Sequence, residues 1–136
     1  MKELESFFNP KGVAVIGASR KPEKPGYVIL KNFVVNREKG LFRGSVYPVN
    51  PRADVIMGLK VYPSVTKVPD PVDLAVIVVP AKFVPGVIEE CGERGVKAAI
   101  VISAGFSEMG NKELEEELLK RARKAGVRII GPNCLG

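Results

Sequence analysis

The chain has 136 residues, 46% of them hydrophobic, which is enough to bury the core of one domain, and we expect a single domain over residues 1–136. No apolar run approaches the roughly 20 residues of a membrane span, and the first residues, MKELESFF, lack the charged-then-apolar plan of a signal peptide. Membrane insertion and secretion are therefore disfavoured, and the cytoplasm is the expected location.

The charge and the cysteines narrow the choice of partners. The formal net charge is +6, which favours anionic partners. The basic residues are spread along the chain rather than packed into a stripe with aromatic residues, so no nucleic acid is expected. Cys91 and Cys134 fall on a predicted helix and a predicted loop without metal-ligand spacing, which favours reduced thiols over a disulfide or a metal site.

Five short β-rich runs alternate with helical patterns along the chain, which is typical of an α/β protein with a parallel sheet covered on both faces. The continuous apolar character of runs such as LAVIVV favours strands that are buried on both sides. The predicted strands are 13–16, 45–49, 74–79, 98–102 and 128–130. We expect a Rossmann-like, doubly wound sheet of five parallel strands in the order 3-2-1-4-5, with helices on both faces.

Proline at a helix start and glycine just past its end mark the predicted helices. The first starts near Tyr27, after Pro25-Gly26, and stops at Gly40; the second runs from Pro85 to Gly95 and the third from an Asn111 cap to Gly126. The third helix carries an inward apolar stripe of Leu114, Leu118, Leu119 and Ala122. The proline-rich stretch 51–71 is expected to be a long connection with one short strand near residues 60–62.

The loops that follow the predicted strands are the places to search for a ligand, because open α/β sheets bind ligands at the carboxyl ends of their strands. Most of these loops contain glycine or other small residues, which let backbone N–H groups approach a phosphate where a helix begins. They read GASR (17–20), NPR (50–52), PAK (80–82), SAGF (103–106) and GPNC (131–134). This arrangement predicts a phosphorylated nucleotide as the ligand.

A nicotinamide or flavin dinucleotide is the first alternative, because VAVIGAS is how many dinucleotide-binding domains open. The G-x-G-x-x-G pattern would need glycine at positions 19 and 22, where Ser19 and Pro22 stand, and no acidic residue ends the second strand to hold a ribose diol. Arg52 follows that strand instead, and a basic residue there suits the extra phosphate of NADP or of CoA. An NADP-dependent oxidoreductase domain therefore stays open at this point, whereas no helix-turn-helix supports a DNA-binding regulator.

Five motifs, VAVIGAS, VYPVNP, DLAVIVVPA, VISAGF and RIIGPNCLG, occur in an order and spacing that resemble the N-terminal CoA-binding domain of the ADP-forming acyl-CoA synthetases. They are also similar to the first domain of the succinyl-CoA synthetase α subunit, and the resemblance covers essentially the whole chain. It implies coenzyme A or acyl-CoA as ligand and further synthetase domains or subunits as partners. The implied enzyme converts acyl-CoA, ADP and phosphate to free acid, CoA and ATP. A stand-alone CoA-binding protein is the alternative.

The resemblance also implies which residues bind CoA. The first loop, Gly17, Ala18, Ser19, Arg20, Lys21 and Pro22, would lie beside the nucleotide, and the second, Asn50, Pro51 and Arg52, would border the phosphate-bearing ribose. The third loop, Val79, Pro80 and Ala81, would pack against the adenine or the pantetheine, and the fourth, Ile102, Ser103 and Ala104, would meet the pantetheine arm. Gly105, Asn133 and Cys134 complete the expected site.

No catalytic residue is expected within the chain itself. Cys134 and Ser103 are nucleophiles by type, but the chain contains no histidine that could activate either of them. In the resembling synthetases a phosphorylated histidine beyond the CoA-binding domain carries the phosphoryl group. The chain also lacks a Walker-type loop that could hold ATP or ADP phosphates. We therefore expect it to bind CoA and to catalyse nothing alone.

Overall fold

The computed structural model describes residues 9–102 and 112–131. In chain order the elements are β1 (Gly12–Ile16), α1 (Pro25–Glu38), β2 (Ser45–Val49), β3 (Val55–Ile56), β4 (Leu59–Lys60), β5 (Leu74–Ile77), α2 (Val84–Arg94), β6 (Ala98–Val101), α3 (Lys112–Ala125) and β7 (Arg128–Ile130). Strands β3 and β4 form a separate antiparallel hairpin. Within the described ranges, no helix combines the length and the apolar character needed to cross a membrane.

The main sheet has five strands in the order β2-β1-β5-β6-β7, and every neighbouring pair is parallel. This confirms the Rossmann-like parallel sheet. A parallel bridge between Val49 and Tyr62 adds a one-residue position outside β2. When that bridge is counted as the third position, the six positions read 3-2-1-4-5-6, and the first five follow the 3-2-1-4-5 pattern. β5 then takes the fourth place, beside β1, because the chain returns to the free edge of β2 at Tyr62 before it crosses the sheet.

The helices cover both faces of the sheet, as the alternation of side chains along β1 shows. Val13 and Val15 share a buried cluster with Leu30 of α1. Ala14 and Ile16 point to the opposite face, where the buried cluster includes Ile88 of α2 and Leu118 of α3. Successive residues of a strand face opposite sides, so the doubly wound arrangement is confirmed.

The helix boundaries follow the predicted signals closely. Pro25 begins α1, and the glycines after α2 and α3, Gly95 and Gly126, have φ angles of 82° and 75°. The Asn111 cap lies outside the described residues. The assignment of Leu119 to the inward stripe of α3 is wrong, because its side chain is 40% exposed while Leu118 is fully buried. One step along a helix turns the side chain by about 100°, which takes Leu119 away from the core.

Candidate functional site

The parallel strands bring their following loops to one edge of the sheet, and the first two loops are bonded to each other there. The backbone N–H groups of Gly17 and Ala18 both donate to the Val49 carbonyl oxygen, at 3.0 and 3.3 Å. These two amides are therefore occupied. Within the described residues, the amides of Ser19 and Arg20 have no acceptor, so the donors that a phosphate could use begin at Ser19.

Asn50 braces the first two loops through both ends of its side-chain amide. Its Nδ2 donates to the Ala18 carbonyl oxygen at 2.8 Å, and its Oδ1 accepts from the Arg52 N–H at 2.7 Å. Its own backbone N–H donates to the Tyr62 carbonyl oxygen at 2.9 Å. The family resemblance implied that Asn50 borders the ribose, and the structure adds that its side chain is bonded to both loops.

Gly17 is enclosed between the start of α1 and the end of β5. Its φ is +99°, and a Cβ atom there would lie 2.6 Å from the Val78 carbonyl oxygen. On the other side, a Cβ atom at Gly26 of α1 would overlap the Gly17 carbonyl oxygen. Only glycine combines this φ with this close approach. The Pro25-Gly26 pair marked the helix start in the sequence but gave no sign of this second packing role.

The first two loops carry several exposed bases. Lys21, Lys24 and Arg52 are exposed, and their side-chain nitrogens have no polar partner within the described part of the chain. The Ser19 hydroxyl accepts from the Lys21 N–H at 3.0 Å, which turns the loop tightly before Pro22. Unpaired cations beside free backbone amides suit a ligand with more than one phosphate.

The third and fourth loops present apolar side chains at the same edge. β5 and β6 end at Ile77 and Val101, so Val79 and Ile102 lie in loops instead of at the strand ends predicted for them. Ile102 is 44% exposed and Pro80 is exposed, while Ala81 is buried in a short 3₁₀ turn. This surface suits the flat ring or the aliphatic arm of a ligand.

Sequence reasoning missed Phe83 and, although it placed Gly131 in the last candidate loop, gave Gly131 no role. Phe83 is 54% exposed, and the Lys82 ammonium lies 5.1 Å from the centre of its ring. Gly131 follows β7 with a φ of +100°, and a Cβ atom there would lie 2.5 Å from the Val101 carbonyl oxygen. An aromatic residue shortly after a strand and a glycine directly after one were the available signals. The remaining predicted residues, Ser103, Ala104, Gly105, Asn133 and Cys134, lie outside the described residues.

A groove of about 690 Å³ lies elsewhere, between α2 and α3. Arg121 lines it and pairs with Glu117 at 2.7 Å and with Glu89 at 2.5 Å. The groove lies on the helical face, not at the strand ends where open α/β sheets bind ligands, so we do not place the nucleotide there. In the described ranges, no group of His, Cys, Asp or Glu could hold a metal ion.

We expect Cys91 to resist alkylation by iodoacetamide in the folded protein and to react once the protein is denatured. Its side chain is fully buried, and burial raises the pKa of the thiol from 9.0 to about 12. The unfolded thiol therefore ionises at a lower pH than the folded thiol, so stability falls as the pH rises from about 9 towards 12. Mass spectrometry of the Cys91 peptide reads this residue separately, and rapid labelling in the folded chain would contradict the burial.

Comparison with known proteins places these observations in a family. Residues 11–136 match the CoA binding domain family. The chain is 55% identical, over 98% of its length, to acetate–CoA ligase (ADP-forming) I subunit alpha of Pyrococcus furiosus, of which it covers 29%. It is 53% identical to acetate–CoA ligase (ADP-forming) of Methanocaldococcus jannaschii, again over 98% of its length, and covers 18% of that protein.

A solved structure shows the same similarity in three dimensions. The dinucleotide forming acetyl-coenzyme A synthetase 1 of Ca. Korarchaeum cryptofilum, in complex with phosphate and ADP, superposes with a TM-score of 0.90 at 55% identity. The match covers 98% of this chain and 28% of that one. The chain thus spans less than a third of the length of each of these three relatives.

Proposed function

The chain belongs to the CoA binding domain family, and on that premise we propose that it binds coenzyme A at the carboxyl edge of its sheet as one domain, residues 1–136, of an ADP-forming acid–CoA ligase. The complete enzyme converts acyl-CoA, ADP and phosphate to acid, CoA and ATP, and further domains or subunits supply its other sites. The observation that supports this most directly is the pair of cross-bonded loops after β1 and β2, which present free amides and unpaired bases together.

Different groups at the carboxyl edge of the sheet suit different parts of the proposed ligand. The amides of Ser19 and Arg20, with the nearby Lys21, suit the diphosphate of CoA. Arg52, on the far side of Asn50, suits the phosphate on the ribose. The apolar surface at Pro80 and the exposed Ile102 suit the adenine or the pantetheine arm. The role of the chain is to hold CoA and orient its thiol, and it contributes no bond-making step of its own.

Direct binding tests this proposal against the oxidoreductase alternative. The purified chain should retain or take up CoA in native mass spectrometry and should release heat with CoA in calorimetry. NADP in excess should fail to displace it, because NADP lacks the pantetheine arm that the apolar surface would contact. Displacement of CoA by an equal concentration of NADP, or no binding of CoA at all, would reject the assignment.

We expect the chain to bind CoA more tightly than dephospho-CoA, and we expect Arg52→Gln to shrink that difference by about three- to tenfold. A charge-assisted hydrogen bond from an exposed arginine to a phosphate contributes on the order of 1 kcal/mol after screening by solvent. Calorimetry with both ligands measures the ratio. Arg43→Gln is the matched control, since Arg43 is an exposed arginine that precedes β2 at the opposite edge of the sheet. Equal affinities of the parent chain for the two ligands would remove the proposed role of Arg52.

A further inference from the structure

The hairpin β3–β4 forms part of the surroundings of the site, although no role was predicted for it. Its inner side is anchored in the core, because Ile56 is 2% exposed and belongs to the same buried cluster as Ala18 of the first loop. Its base is closed by the Val61 N–H, which donates to the Asp54 carbonyl oxygen at 2.8 Å. The hairpin is therefore seated against the loops that carry the free amides and bases.

One side-chain hydrogen bond joins strand β3 of the hairpin to the first loop. Arg20 Nε donates to the Val55 carbonyl oxygen at 2.9 Å, across 35 positions of the chain. Val55 itself is 51% exposed, so the core packing of β3 comes from Ile56, while the hydrogen bond to the first loop comes from Arg20. Arg20 therefore uses its Nε–H in a hydrogen bond within the protein, whereas the side chains of Lys21 and Arg52 are unpaired.

We propose that Arg20 is a positioning residue that keeps the hairpin closed against the first loop, so that the CoA site has its shape before the ligand arrives. The working group is the Nε–H donor, and the positive charge of the guanidinium is secondary. The consequence for CoA rests on the function proposed above, whereas the fastening of the hairpin does not. A preformed site binds more tightly because less of the chain has to be ordered during binding.

Two substitutions separate the donor from the charge. In Arg20→Gln the side-chain nitrogen can occupy the place of Nε, which keeps the donor and removes the charge. In Arg20→Met both the donor and the charge are lost. The Val61 amide, at the base of the hairpin, reports opening through its hydrogen exchange without any ligand. Lys120→Gln, at an exposed position of α3, controls for the loss of one charge.

We expect hydrogen exchange at Val61 to become about three- to tenfold faster in Arg20→Met, which is the range for the loss of one hydrogen bond. In Arg20→Gln the exchange rate should stay near that of the parent. The affinity for CoA should fall about three- to tenfold further in Arg20→Met than in Arg20→Gln, with Lys120→Gln behaving like the parent. This pattern supports the positioning role.

Other patterns overturn it. Unchanged exchange at Val61 in Arg20→Met would show that Arg20 does not fasten the hairpin. An equal loss of CoA affinity in Arg20→Gln and Arg20→Met, with unchanged exchange, would make Arg20 a direct phosphate contact. Faster exchange with unchanged CoA affinity would remove the hairpin from the site. If the parent chain failed to bind CoA, the proposed function would fall, and the exchange rates would still decide whether Arg20 holds the hairpin.

Discussion

Gly17→Ala is expected to lower the free energy of unfolding by about 3 kcal/mol and to abolish CoA binding. The added methyl group meets the Val78 carbonyl oxygen at 2.6 Å, and the φ of +99° is one that alanine rarely adopts. The fold can accommodate the methyl group only by moving the first loop away from the end of β5. That movement displaces the Ser19 and Arg20 amides, so binding should fail even where folding survives.

Gly86→Ala supplies the matched control for this prediction. Gly86 lies in α2 with open space around it, and alanine there should stabilise the protein by about 0.5–1 kcal/mol because glycine is the poorer helix former. Urea denaturation followed by circular dichroism measures both changes, and calorimetry measures CoA binding. A Gly17→Ala protein with parental stability and parental CoA affinity would show that the close approach at Gly17 is unimportant.

The 136-residue chain by itself is expected to form no ATP from acyl-CoA, ADP and phosphate while it still retains CoA. The reaction needs a group that accepts a phosphoryl from the acyl phosphate and passes it to ADP, and the chain has neither a histidine nor a Walker-type loop for these steps. Holding CoA orients its thiol but does not generate the acyl phosphate. The effect is therefore all or none.

A coupled assay of ATP formation, with a complete acetate–CoA ligase (ADP-forming) as the positive control, measures this directly. Native mass spectrometry of the same sample shows whether CoA is present on the chain. ATP formation by the isolated chain at a rate comparable with the control would show that it holds a phosphoryl-transfer site. Such a result would not contradict CoA binding, but it would move the phosphoryl-transfer site into this chain.

The parallel sheet could be predicted from the sequence because buried parallel strands leave continuous apolar runs. The ends of β5 and β6 could not be predicted, because the run of apolar residues continues through Val79 and Ile102 after the hydrogen-bonded strand has ended. The third position of the sheet rests on the single bridge of Tyr62, which leaves no periodic signal.

The family resemblance named the loops of the candidate site but not the hydrogen-bond partners of their side chains. The roles of Arg20 and Asn50 depend on partners 35 and 32 positions away, which no local pattern reveals. The packing of Gly26 against Gly17 is equally distant from any sequence motif. The local sequence shows which loop a residue belongs to, whereas its hydrogen-bond partner is known only once the chain has folded.

The amide of Asn50 joins two loops, and its place in the chain also protects it chemically. Asparagine side chains deamidate when the nitrogen of the following residue attacks the side-chain carbonyl carbon and closes a succinimide ring. Here the following residue is Pro51, whose nitrogen carries no hydrogen and is already tied into its own ring. This deamidation route is closed, so Pro51 protects the side-chain amide that bonds to Ala18 and Arg52, although Pro51 takes no part in those bonds.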